Sequence, residues 1–402
     1  MKYDFTTLMD RHGKDAIALD HIPIPDAQIR TGFSRIPMWV ADMNFPTAPS
    51  VVNAIAKRIA HPAFGYFDIR DEYYDAVINW HKARNGIQDL TRACIGYENG
   101  VLGGLISAVR VLAEDGAKIL IHTPAYIGFT GCLTNNGYHI VHSPLIRDEK
   151  GIWRMDFDDM EQKLREEKIH VAVFCSPHNP CGRVWEQWEI EKAMDVFRRN
   201  DCYVISDEIW SDLLLDGHRH IPAYSVSEDA KMRTVTLYAP SKTFNLAGLI
   251  GAYHIIYNPY LRDRVEKQSS LSHYSSCNVL SMHALIGAYS PEGAEWVDEL
   301  RQVLSRNMEY ACSYITTHFK GVSFAKPEGT YMLFLDCEAW CRSHNKTIDA
   351  LQRAGIACGV IWQDGRPFGG AYSIRMNLAL PFSLVEEAME RLDRFVFSGG
   401  TE

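Results

Sequence analysis

The stretch TVTLYAPSKTFNLAGL, residues 234–249, decides the fold. Its first five residues are β-branched, apolar or aromatic, the composition of a strand that is covered on both faces. Ala239-Pro240 then breaks the run, and Ser241-Lys242 follows at once. A lysine just past a buried strand is either a solvated charge or a group held in a crevice, and the rest of the chain must decide between them. Working outward, the runs 118–122, 170–175, 202–206 and 252–257 have the same strand character. Between about residues 95 and 290 they alternate with segments such as 156–168 and 186–200, which carry apolar residues on one helical face and charges on the other. That alternation predicts α/β architecture with a mainly parallel sheet under helices.

Three more of these strands end in clusters that resemble binding chemistry: Thr123-Pro124-Ala125-Tyr126, Ser176-Pro177-His178-Asn179-Pro180 and Asp207-Glu208. Ligands in open α/β sheets bind beyond the carboxyl ends of the strands, so these clusters and Ser241-Lys242 should converge on one crevice. Asn99-Gly100-Val101 opens a segment, 102–112, that reads as a helix, and Gly103-Gly104 permits close approach to its backbone. Unpaired N–H groups and the positive dipole end make such a terminus suitable for a phosphate. Singly, each feature has a plain explanation: Asn179 as turn chemistry, Asp207 as a cap, Tyr126 as core, Lys242 as surface. Together, a lysine, an aspartate, an aromatic ring and a phosphate-holding helix are the parts that pyridoxal 5′-phosphate (PLP) chemistry requires.

At 402 residues, 47% apolar and 23% charged, the chain is long enough for a large and a smaller domain with a cleft between them. No repeat or Gly/Ser/Pro-rich linker marks the boundary. The net charge of −9, with no Lys/Arg block, argues against a nucleic-acid surface. Charges in MKYDFTTLMDRHGKD interrupt any signal-peptide core, and no apolar run reaches the roughly 20 residues of a membrane span. Ten scattered cysteines point to reduced thiols and a cytoplasmic protein. Cys337, Cys341 and His344 lack a second ligand pair at zinc spacing, so no metal site is expected.

The runs APSKTFNLAGL (239–249), SPHNPCGRVW (176–185) and SDEIWSDL (206–213) resemble the fold type I PLP enzymes of the aspartate aminotransferase superfamily. MWVADMNF (38–45), FGY (64–66), HTPAY (122–126) and RMNLA (375–379) are similar to its MalY/PatB group of cystathionine β-lyases and cysteine-S-conjugate β-lyases. The resemblance runs nearly end to end. It implies an aspartate-aminotransferase-like fold: a large domain, residues 51–290, with a mostly parallel seven-stranded sheet, and a smaller α+β domain from 1–50 and 291–402. Small-domain strands are expected at 322–324, 331–335 and 371–376 and a terminal helix at 383–397. By position, Lys242 would carry PLP and move the Cα proton, Asp207 would pair with the ring nitrogen, and Asn179 with the ring hydroxyl. Tyr126 would stack on the ring; Gly100, Val101, Leu102 and Ser241 would hold the phosphate. Tyr66 would reach the site of a neighbouring subunit, which implies a homodimer. Arg375 would grip the substrate carboxylate, with Ala41 and Trp210 also facing the substrate.

The implied reaction is β-elimination from cystathionine or a related cysteine S-conjugate, giving a thiol, pyruvate and ammonia. An aminotransferase, or a regulatory binding role like that within the MalY group, are the alternatives. Two departures from the pattern bear on this. Leu249-Ile250-Gly251-Ala252 stands where many superfamily aminotransferases place a phosphate-binding arginine. Trp210 stands where the lyase group often has histidine, which predicts either a bulky or apolar S-substituent or an indole packed at the domain interface.

Overall fold

The computed structural model describes residues 1–271 and 274–398, so the last four residues of the expected small domain lie outside it. A seven-stranded sheet runs in the order Ile95–Asn99, Gly251–Ile255, Thr234–Tyr238, Tyr203–Asp207, Val171–Cys175, Lys118–Thr123, His139–Pro144. Gly251–Ile255 is antiparallel to both its neighbours and every other pairing is parallel. The two strands Val171–Cys175 and Thr234–Tyr238 are buried at every residue, because helices cover both faces of the sheet.

Those helices are set by local chemistry. Phe157–Glu166 starts where the Asp156 side chain accepts from the Asp159 N–H at 3.0 Å. Gln187–Arg199 starts at a reciprocal capping box between Glu186 and Glu189. It buries Ile190, Ala193, Met194 and Phe197. Val101–Leu112 lies between the sheet and the helix Pro259–Ser270, which explains why it is apolar over most of its circumference.

A second, five-stranded sheet has the order Ile36–Met38, Val360–Asp364, Ser373–Asn377, Met332–Asp336, Ser323–Phe324. Only Ile36–Met38 and Val360–Asp364 pair in parallel. Pairing the first strand with Val360–Asp364 brings the N-terminal segment onto the C-terminal part of the chain. Residues 291–318, assigned above to the smaller domain but to no element, form a helix of 28 residues, Pro291–His318. The expected terminal helix is shorter: Phe382–Leu392 is α-helical, and Asp393–Phe397 widens into a π-turn. The strands at 95–99, 139–144, 36–38 and 360–364 were not anticipated individually.

The two sheets are joined by hydrogen bonds. Thr330 N–H donates to the Leu213 carbonyl at 2.7 Å, Leu215 N–H to Glu328 at 2.8 Å and Gly329 N–H to Gly182 at 2.9 Å. Arg183, almost fully buried, bonds Glu328 of this crossing segment as well as Glu186 and Glu189. Cys337 and Cys341 are buried thiols, and the His344 ring stacks on Trp340 at 4.6 Å, so the trio is absorbed into packing. Among the described residues no helix is long and apolar enough to cross a membrane.

Candidate active site

The strand-end clusters meet in a cavity of about 300 Å³. Its lining includes Ala41, Gly100, Val101, Leu102, Tyr126, Asn179, Asp207, Trp210, Ser241 and Lys242, ten of the positions singled out in the sequence. Arg375 is buried behind this wall and Tyr66 does not line it. The sequence pattern gave no site role to other lining residues, among them Cys175, Ile209 and Ala247. Ile209 was within reach, since it lies two residues past Asp207.

Lys242 Nζ donates to the Ala41 carbonyl at 3.0 Å. The segment carrying Ala41 is held on both sides. Asn377 Nδ2 donates to the carbonyls of Val40 (2.7 Å) and Asp42 (2.5 Å), and Arg11 pairs with the Asp42 carboxylate at 2.6 Å. Asn245, three residues past the lysine, accepts from Met43 N–H at 3.0 Å and donates to its carbonyl at 2.8 Å. The lysine loop and the 41–43 segment therefore form one unit. Burial, reinforced by the Arg375 charge, pulls the Lys242 amine down to about 8. A substantial neutral fraction near neutral pH is what a nucleophile or proton acceptor needs.

Asp207 is 4% exposed, and burial pushes its carboxyl up to about 7 against the opposing Ile209 N–H bond (3.0 Å) and the Lys242 charge. An ionised carboxylate here wants a cationic partner. Asn179 Oδ1 accepts from Arg375 Nη1 at 3.3 Å, and Arg375 Nη2 donates to the Trp39 carbonyl at 3.0 Å. Arg375 Nε is buried without a partner, and burial lowers the guanidinium to about 10. That unused donor and unbalanced charge are suited to an incoming carboxylate.

The cofactor end is shaped by backbone. Gly100 adopts φ +81° as the N-cap of Val101–Leu112, a conformation that glycine takes without strain. The chain there turns so that the N–H groups of Val101, Leu102 and Gly103 have no intrahelical acceptor. The Tyr126 ring lies over Gly128, where a Cβ would come within 2.3 Å of it, and against Phe129 edge-on at 5.4 Å. His178 Nε2–H donates to the Pro124 carbonyl at 2.7 Å, tying the loop that carries Tyr126 to the loop that carries Asn179. The Ile250 methyl lies 3.6 Å from where a Gly100 Cβ would be, so an apolar group faces the phosphate end. An amine anchor, a buried carboxylate, a stacking ring and unpaired helix N–H groups fit PLP, and charge neutralisation at its phosphate has to come from outside position 250.

Residues 37–392 match the family of aminotransferases class I and II. The chain belongs to that family. Among its curated relatives, the cystathionine β-lyase PatB of Bacillus subtilis is 32% identical over 89% of this chain and 91% of its own length. Cystalysin from Treponema denticola, solved with a pyridoxal 5′-phosphate cofactor, superposes with a TM-score of 0.90 at 30% identity, covering 98% of both chains. The PLP-bound C–S lyase of Staphylococcus hominis gives 0.88 at 29%, again over 98% of both. The fold is that of the aspartate-aminotransferase-like type I PLP enzymes, and PLP is the cofactor. Trp210 lines the cavity, and its ring meets Tyr331 edge-on at 4.8 Å.

Proposed function

We propose that the protein is a PLP-dependent carbon–sulfur β-lyase that cleaves cystathionine or related cysteine S-conjugates to a thiol, pyruvate and ammonia. One observation carries the reading: Lys242, with its amine lowered to about 8, shares a cavity with Asp207 and Asn179 in a chain that aligns over nearly its full length with C–S lyases. PLP supplies an electron sink conjugated to the substrate Cα.

The chain's own groups do the rest. Lys242 would anchor the cofactor and would take the substrate Cα proton on Nζ. The Cβ–S electron pair leaves with sulfur as a thiolate. Asp207 would pair with the ring nitrogen and keep it protonated, Asn179 would pair with the ring hydroxyl, and Tyr126 would limit tilt by stacking. Backbone at Gly100, Val101 and Leu102, with Ser241, would hold the phosphate. Arg375 would bind the α-carboxylate, and Ala41 and Trp210 would flank the substrate. Tyr66 is fully exposed beside Phe64 and Phe67, also exposed, as suits an arm that completes the site of a second copy in a homodimer. Residues 51–290 form the large domain, and 1–50 with 291–402 the small one. The enzyme works in the cytoplasm.

The test is to incubate the PLP-loaded protein with cysteine thioethers and follow pyruvate and free thiol together, with no keto acid present. Stoichiometric release of both is expected. Turnover that requires a keto acid and yields no ammonia would replace this reading with an aminotransferase.

A further inference from the structure

Once the cofactor and the α-carboxylate are assigned their partners, little polar surface is left in the cavity. Its only charged lining groups among the described residues are Lys242 and Asp207. Ala41, Ile209, Trp210 and Ala247 make up an apolar remainder. Trp210 is the largest of these. It is 2% exposed, and Tyr331, itself 1% exposed, packs edge-on against it. Its ring centroid lies 5.9 Å from Lys242 Nζ. A substrate amine replaces that nitrogen, and covalent geometry puts the sulfur of a cysteine thioether about 3–4 Å from its own amine. A group on the sulfur is therefore within contact range of the indole.

Given the β-lyase reading above, on which this rests, we propose that Trp210 sets the substrate class: cysteine thioethers whose sulfur carries an uncharged aromatic or branched apolar group, in preference to those ending in a second charged head. An aromatic S-substituent gains contact with a fixed indole face or edge. The distal ammonium and carboxylate of cystathionine would have to leave water for a wall to which this chain brings only Lys242 and Asp207 as charged groups, both already engaged. Position 210 selects because it is a rigid apolar surface next to the reacting atoms, with no titratable or ionic group of its own.

The test uses three thioethers with the PLP-loaded enzyme: L-cystathionine, S-benzyl-L-cysteine and S-(4-carboxybenzyl)-L-cysteine, the last nearly matching the second in shape but carrying a charge. Pyruvate release should give kcat/KM for the benzyl compound at least about tenfold above each charged one. Trp210→Ala, and Trp210→Phe should the alanine variant unfold, should narrow that ratio at least about fivefold. Dissociation constants read from cofactor absorbance in PLP-loaded Lys242→Ala, which binds without turning over, should follow the same order. Cystathionine cleaved as well as the benzyl compound would overturn the proposal while leaving the lyase reading intact. A ratio unchanged in both Trp210 variants would overturn it too. Pyruvate from none of the three would instead remove the lyase reading beneath it.

Discussion

Replacing Asp207 by asparagine should stabilise the apoprotein while disabling the enzyme. Burial raises the folded-state pKa of this carboxyl from 3.8 to about 7. Folding therefore favours the protonated acid, and stability is lost as pH rises from the unfolded value through the folded one. Above pH 7 the ionised carboxylate costs the apoprotein about 4 kcal/mol, an order-of-magnitude figure. Asparagine is nearly isosteric, can still accept the Ile209 N–H, and carries no charge to desolvate. Asp207→Asn apoprotein should thus gain up to about 4 kcal/mol at pH 8, or about 5 °C in melting temperature for a chain of this length. The gain should shrink to under about 2 kcal/mol by pH 5, where the wild-type carboxyl is mostly protonated in the folded state. Loaded with PLP, the same variant loses the partner of the ring nitrogen, and kcat should fall about a hundredfold or more. Thermal melts of both apoproteins at pH 5 and 8 provide the check. An equal or lower melting temperature for the variant at pH 8, or a gap that does not change with pH, would refute the claim that burial governs this carboxyl.

Two further outcomes concern stability. Arg183→Met should cost about 3 kcal/mol in urea unfolding, because it strips a buried guanidinium from Glu189 and from the Glu328 crossing, with Arg154 at 3.1 Å leaving Glu189 partly compensated; a loss under about 1 kcal/mol would show that the cluster does not join the two sheets. Ile250 is a β-branched residue held at φ +60° and 59% exposed, so Ile250→Gly should raise apoprotein stability by about 1 kcal/mol in the same assay, and no gain would mean that the left-handed turn is not strained.

Much of the large sheet was legible because its central strands are buried on both faces and so are continuous in apolar sequence, as VAVFC and TVTLY are. The edge strand His139–Pro144 is largely exposed or half-buried, and Ile95–Asn99 carries Gly96, Glu98 and Asn99, so neither has that signature. Ile36–Met38 is three residues long and contains a proline; it is a strand only because Val360–Asp364 lies beside it. The helix Pro291–His318, by contrast, was within reach of the pattern, since its buried side chains recur at three- and four-residue spacing.

For the site, order along the chain was enough to determine which residue types stand at the strand ends: Asp207 closes one strand of the sheet, Tyr126, Asn179 and Lys242 each follow another, and strand ends of an open α/β sheet share a crevice. Their properties came from elsewhere in the chain. Lys242 is lowered by burial and by a guanidinium 133 positions on, Asp207 is raised by the exclusion of water around it, and Trp210 is packed by Tyr331, the residue before the strand Met332–Asp336 of the other sheet. Sequence alone determined which chemical groups would meet, because local periodicity places them. Only the tertiary structure decided how acidic, how mobile and how accessible they are, because those quantities depend on which distant segments displace water from around each group.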